Sequence, residues 1–145
     1  MIMKNEIAHT VFYEHQPDAV WEYLTDAALM EQWLMKSDFK PEVGHQFMFN
    51  TRAMPDFGFD GKIYCEVKEV VPNEKLSYTW KGGPGDGTMT MDSLVTFTLT
   101  PKDGGTELLL QHTGFTEKTN PSIISLMDMG WLKNMNEIAG LLKTV

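Results

Sequence analysis

A chain of 145 residues with a formal net charge of -8 and no cluster of Lys and Arg is poorly suited to tracking phosphates, since nucleic-acid binding draws most of its affinity from such clusters. Apolar residues make up 42% and charged residues 22%, ordinary values for one globular domain, so residues 1–145 are expected to form a single domain around one core. The lone Cys65 excludes an internal disulfide, residues 1–10 have no signal-peptide core, and no stretch approaches the roughly 20 apolar residues of a membrane span, so a cytoplasmic protein is expected.

In chain order, residues 6–15 alternate Ile7, His9, Val11 and Tyr13 against Ala8, Thr10, Phe12 and Glu14, which predicts a strand. Pro17 then opens a short helix carrying Val20, Trp21 and Leu24, because proline at the first helical position loses no hydrogen bond. Asp26 is placed to cap a second short helix holding Leu29, Met30, Trp33 and Leu34.

From Gly44 onward the signals are extended. Phe47 and Phe49, then Ile63, Cys65 and Val67, then Leu76, Tyr78 and Trp80 each share a phase. Met89, Met91, Ser93, Val95, Phe97 and Leu99 follow in another, and Leu108, Leu110 and His112 come after an Asp103-Gly104 turn that signals a hairpin. Successive strands on short turns predict an antiparallel meander with one apolar face. Two loops interrupt it: 53–60, with Phe57 and Phe59 placed either to gate an entrance or dock a partner, or to tuck under the edge of the sheet, and the Gly-rich rim 82–88.

The longest helical pattern comes last, over 120–145. Ile124, Met127, Trp131, Met135, Ile138 and Leu142 fall on one stripe, and Asn120-Pro121 supplies an N-cap and a residue already fixed at helical φ. That stripe is expected to cover the apolar face of the sheet.

The run Pro17, Val20, Trp21, Leu24, Thr25, Asp26, Leu29, Trp33 resembles the opening signature of the START-like, or SRPBCC, superfamily. Residues 61–67 with Val70, Pro72, Leu76, Tyr78 and Trp80 resemble the central hairpin of the branch named for the activator of the Hsp-ninety ATPase. Val95, Phe97, Leu99, Gly104, Gly105, Thr106, Leu108, Leu110, His112, Gly114 and Phe115 resemble its last hairpin, and Gly130-Trp131 its final helix. The resemblance implies an α+β helix-grip fold: a curved antiparallel sheet of about six strands wrapped around a long C-terminal helix, with two short helices after the first strand. It also implies a cavity between sheet and helix, of the kind that holds lipids, sterols, polyketides or aromatic compounds. No catalytic set comes with it.

Inward phase nominates the cavity candidates Phe49, Cys65, Tyr78, Trp80, Met89, Met91, Phe97, Leu110, His112, Met127, Trp131 and Met135. With 11 methionines the chain is rich in thioethers, which repack around variable shapes and suit a pliable apolar ligand. His112 is either a core histidine satisfied by a neighbouring backbone carbonyl or a polar group that orients a ligand, and Asp128 and Arg52 are either anchors at the cavity mouth or simply solvated. The 4 histidines lack metal-ligand spacing and no paired cysteines accompany them, so no metal and no cofactor is expected. Cys65 lacks an identifiable base, which argues against a thiolate nucleophile.

The leading expectation is binding of a small apolar or amphipathic molecule. The alternatives are a chaperone-associated module, as the branch's name implies, and an enzyme of the cyclase or hydratase kind with His112 or an inward Tyr or Glu as acid or base. A homodimer is a further expectation, because the edge strands of an open sheet invite cover.

Overall fold

The computed structural model describes residues 6–143. The expected run of the last helix to residue 145, and the reading of residues 1–5, fall outside the described residues. The elements are β1 (Glu6–Tyr13), α1 (Pro17–Thr25), α2 (Ala27–Trp33), β2 (Gln46–Asn50), a 3-10 turn (Pro55–Phe57), β3 (Lys62–Val71), β4 (Lys75–Gly82), β5 (Met91–Lys102), β6 (Gly105–Thr113) and α3 (Pro121–Leu142).

The six strands form one antiparallel sheet in the order β1-β6-β5-β4-β3-β2. Strands β2 to β6 are a meander in which each pairs with the next, while β1 adds to the far edge beside β6. The β5–β6 hairpin closes as the sequence predicts. Lys102 pairs with Gly105, and the two turn residues Asp103 and Gly104 both have positive φ, 49° and 78°, the primed geometry that matches strand twist. The ladder between β3 and β4 shifts between Val67 and Glu69, and the Glu66 N–H donates to the Thr79 hydroxyl at 2.8 Å. A bulge of this kind sharpens the local twist and helps the sheet to curl.

Alternation decides which side chains enter the concave face. Ile7, Tyr13, Phe47, Phe49, Ile63, Cys65, Val67, Leu76, Tyr78, Trp80, Val95, Phe97, Leu99, Leu108 and Leu110 are all buried there. The helices start where their caps place them. Asp26 accepts from the N–H groups of Ala28 and Leu29, and its extended backbone separates α1 from α2. Asn120 accepts from Ser122 N–H ahead of Pro121, and α3 then runs 22 residues, about 33 Å at 1.5 Å per residue.

Helix α3 lies in the concavity. Trp131 packs against Trp80 of β4 and Phe97 of β5 with ring centroids 5.1 and 5.9 Å away, and the Tyr13 hydroxyl of β1 donates to the Met135 carbonyl at 2.7 Å. Helix α2 closes the same core from the side, Trp33 meeting Phe97 edge-on at 6.2 Å while its Nε1–H donates to the Tyr23 carbonyl. The fold is the expected α+β helix-grip arrangement. One phase assignment is corrected: Met89 is 39% exposed, because the extended ladder begins only at Met91 and residue 89 still belongs to the irregular segment that follows the glycines.

Candidate functional site

A cavity of about 220 Å³ remains between α3 and the sheet. Three walls enclose it. Met127, Gly130, Trp131 and Asn134 of α3, with Ile123 and Leu126 one turn earlier, form the first. Ile63, Trp80 and Met91 rise from β3, β4 and the start of β5 as the second. Leu34 and Met35 at the end of α2, with Thr51, Met54 and Phe59 from the segment between β2 and β3, complete the third.

The spacing on α3 is what opens the space. Positions 127, 130, 131 and 134 are one face of a helix at three- and four-residue intervals, and glycine occupies the middle of that face. A Cβ at Gly130 meets no atom within 4 Å, so the glycine is not there to let two backbones approach. A glycine inside a helix costs about 0.5–1 kcal/mol relative to alanine. At this position it leaves the cavity wall without a side chain.

The segment 51–61 is held to the sheet by its own geometry. Thr51 N–H donates to the Gly61 carbonyl at 2.7 Å, Met54 and Phe59 bridge, and Phe59 turns inward to become buried. Of the two aromatic loop residues, Phe59 is therefore cavity wall, while Phe57 lies half-buried outside it against the start of α3, near Pro121 and Ser125.

Of the sequence-predicted candidates, Trp80, Met91, Met127 and Trp131 meet at the cavity. Phe49, Cys65, Tyr78, Phe97, Leu110, His112 and Met135 are buried in the core around it and do not border it, and Met89 stands outside. The polar anchors are also different. Asp128 turns to the β1 side, where its Oδ1 lies 2.7 Å from His9 Nε2, and Arg52 is exposed away from the cavity. Thr51 and Asn134 instead bring a hydroxyl and a carboxamide to the lining. Asn134 was within reach of sequence reasoning as the residue three beyond Trp131 on the same helical stripe; Leu34, Met35, Thr51 and Met54 sit in irregular segments with no periodicity to expose them.

His112 is wholly buried behind Trp131. Trp131 Nε1–H donates to His112 Nδ1 at 3.0 Å, which makes Nε2 the protonated nitrogen; Nε2–H donates to Ser93 Oγ at 2.8 Å, and the Ser93 hydroxyl donates to the Trp80 carbonyl at 2.7 Å. Burial lowers the His112 pKa from 6.5 to about 3. A neutral imidazole with both nitrogens engaged braces α3 against β4 and β5. It is the core histidine of the two expectations, corrected in its partners, which are the Trp131 and Ser93 side chains and not a backbone carbonyl.

Burial also pushes the Cys65 thiol well above its ordinary range, which disfavours the thiolate. Among the described residues no three His, Cys, Asp or Glu side chains converge on a point where a metal could bind. Nor is any helix among the described residues long and apolar enough to cross a membrane.

An open antiparallel sheet that curls around one long helix, with an apolar cavity kept between them, defines a domain of the START-like, helix-grip class. The family described as Activator of Hsp90 ATPase homolog 1-like protein matches residues 14–143, and the chain belongs to that family. Among solved structures, it is similar to protein MLL2253 from Mesorhizobium loti, with 36% identity, a TM-score of 0.84, and coverage of 97% of this chain and 98% of that one. Protein BH1534 from Bacillus halodurans is 28% identical with a TM-score of 0.72 over 98% of this chain and 99% of that one. The Aha1 dimer from Colwellia psychrerythraea shares the fold at 17% identity, with a TM-score of 0.75 over 98% of this chain and 96% of that one. Comparison with curated proteins gave no match.

Proposed function

We propose that the protein binds a small apolar or amphipathic molecule in the cavity between the sheet and α3. The observation that carries this reading is Gly130: a helix interior is kept free of a side chain where one would fit, and the space so preserved is lined by Trp80, Trp131, Phe59, Met91 and Met127. The volume of about 220 Å³ is larger than the roughly 150 Å³ engineered cavity that accepts benzene, and smaller than the roughly 300 Å³ at which drug-sized pockets begin. The fitting ligand is correspondingly compact, smaller than a sterol or a full-length lipid.

Two tryptophans on the wall supply a direct readout. Naphthalene titrated into the protein should quench tryptophan fluorescence saturably, and Gly130→Leu, which fills the space, should abolish the saturable part while leaving the fold intact by circular dichroism. Absence of saturable quenching in the wild-type protein, both with naphthalene and with octanoate, overturns the reading.

A second reading, self-association, is favoured by a specific observation on the outer side of the same helix. Met129 and Leu132 are 68% and 40% exposed there, and Leu126, 44% exposed at the rim of the cavity, adjoins them, an apolar patch that solvent does not require. Sedimentation velocity across a concentration series should show a dimer that Met129→Glu returns to monomer; a monomer at all concentrations removes this reading.

A further inference from the structure

The buried polar side chains around the cavity are almost all matched. Trp33 Nε1–H has the Tyr23 carbonyl at 2.7 Å, Trp131 Nε1–H has His112 Nδ1, the Tyr13 hydroxyl has the Met135 carbonyl, and His112 and Ser93 complete one another. Two polar atoms among the described residues have no partner: the Tyr78 hydroxyl and the Trp80 Nε1–H. A buried donor without an acceptor is unfavourable and rare. Tyr78 lies within the packed core, whereas Trp80 is part of the cavity wall.

The surroundings of Trp80 explain why the chain does not satisfy this donor itself. Its ring is flanked by Phe49 at 5.6 Å, Trp131 at 5.1 Å and His112 at 5.5 Å, so its neighbours present aromatic surface. The acceptors closest in the network are already engaged. His112 Nδ1 takes the Trp131 N–H, Ser93 Oγ takes the His112 N–H, and the Trp80 carbonyl takes the Ser93 hydroxyl.

We infer that the molecule held in this cavity carries a hydrogen-bond acceptor oxygen that receives the Trp80 indole N–H, which places the ligand in the class of compact one- or two-ring aromatic carbonyl compounds. The inference rests on the cavity reading above and adds a polarity and an orientation to it. Trp131 and Phe59 give the ring aromatic walls to pack on, while Trp80, on β4, would meet the acceptor end with its edge. The N–H is covered by its neighbours, and the wall beside it contains Met91 and Met127, whose unbranched thioethers can repack to admit the oxygen. Thr51 and Asn134, the more exposed polar residues of the lining, would accommodate a second polar substituent.

The test uses two probes of nearly the same shape, acetophenone and α-methylstyrene, which differ in a C=O against a C=CH₂. Affinities of both are measured for the wild-type protein and for Trp80→Phe, which keeps an aromatic ring and removes the donor. The ratio of acetophenone affinity to α-methylstyrene affinity should fall about fivefold in the variant, the factor a net hydrogen bond contributes. In the ¹⁵N-labelled wild-type protein, acetophenone should move the Trp80 indole cross-peak to lower field and α-methylstyrene should not, a readout that stands even if the variant fails to fold. If both probes bind in the cavity with an unchanged ratio and an unshifted Trp80 cross-peak, the acceptor inference is overturned and the cavity reading survives. If neither probe binds and neither naphthalene nor octanoate gives a saturable signal, both fall together.

Discussion

The indole N–H of Trp131 on α3 donates to Nδ1 of His112 on β6 at 3.0 Å, and this bond selects the tautomer of a fully buried imidazole. Because Nδ1 must keep its lone pair, protonating the ring would break the bond that joins the long helix to the sheet. Burial disfavours the charged ring, and the His112 pKa falls from 6.5 to about 3. Above pH 6.5 the ring is neutral in both states and its contribution is complete. As pH falls below 6.5 the unfolded chain takes up a proton that the native chain refuses, so stability declines until pH approaches 3. Urea unfolding at a series of pH values should show this loss at up to about 1.4 kcal/mol per pH unit. In His112→Gln the slope between pH 6.5 and 4.5 should flatten; an unchanged slope shows that other groups cause it.

Gly130 and Gly140 make a matched pair on one helix, both with open space where a Cβ would stand, but only Gly130 borders the cavity. Replacing either with alanine should stabilise the protein by about 0.5–1 kcal/mol through helix propensity. Only Gly130→Ala should also weaken naphthalene binding. Equal effects on binding from the two variants mean that the probe sits elsewhere.

Cys65 is 4% exposed and its thiol is held protonated by burial. A disulfide exchange reagent such as 5,5′-dithiobis(2-nitrobenzoate) should label the native protein no faster than the protein unfolds, and label it at once in denaturant. Rapid labelling of the native state means that β3 opens locally.

Gly61 has φ of 88° and its missing Cβ would fall 2.6 Å from the Thr51 carbonyl oxygen and 2.9 Å from Ala53 N. Gly61→Ala should therefore destabilise the protein by roughly 1–3 kcal/mol, the cost of an alanine at positive φ with a backbone clash added. Because Thr51 sits on the cavity wall, the displacement should also change the naphthalene affinity, whereas a Gly104→Ala change in the distant β5–β6 turn should lower thermal stability and leave that affinity alone.

Local chemistry made the frame readable from residues alone. Asp26 and Asn120-Pro121 mark helix starts because a side-chain oxygen is needed where backbone N–H groups have no partner, and Asp103-Gly104 marks a hairpin because both positions need positive φ. Phase along a strand says which side chains point inward. It does not say which of them are then covered by another side chain, which is why Phe49, Tyr78, Phe97, Leu110 and Met135 are packed core while Trp80 and Met91, in the same phases, border open space. That distinction depends on what lies opposite, and opposite Trp80 and Met91 lie Gly130 and the segment at 51–59. Met89 shows a different limit, since alternation in sequence continues past the point where the backbone stops being paired.

The order of strands has a consequence for synthesis. β1 is made before every other element described here, yet its sole partner in the sheet is β6, and the register joins Tyr13 to Thr106 and Glu6 to Thr113. As the chain leaves the ribosome, the β2–β5 hairpins can close on one another while the first strand, with Ile7 and Tyr13 still uncovered, waits for nearly the whole remainder to emerge. Joining β1 to the edge and seating α3 beneath it both wait until β6 and α3 have been made. The Tyr13 hydroxyl on the Met135 carbonyl then ties the first strand of the domain to its last helix.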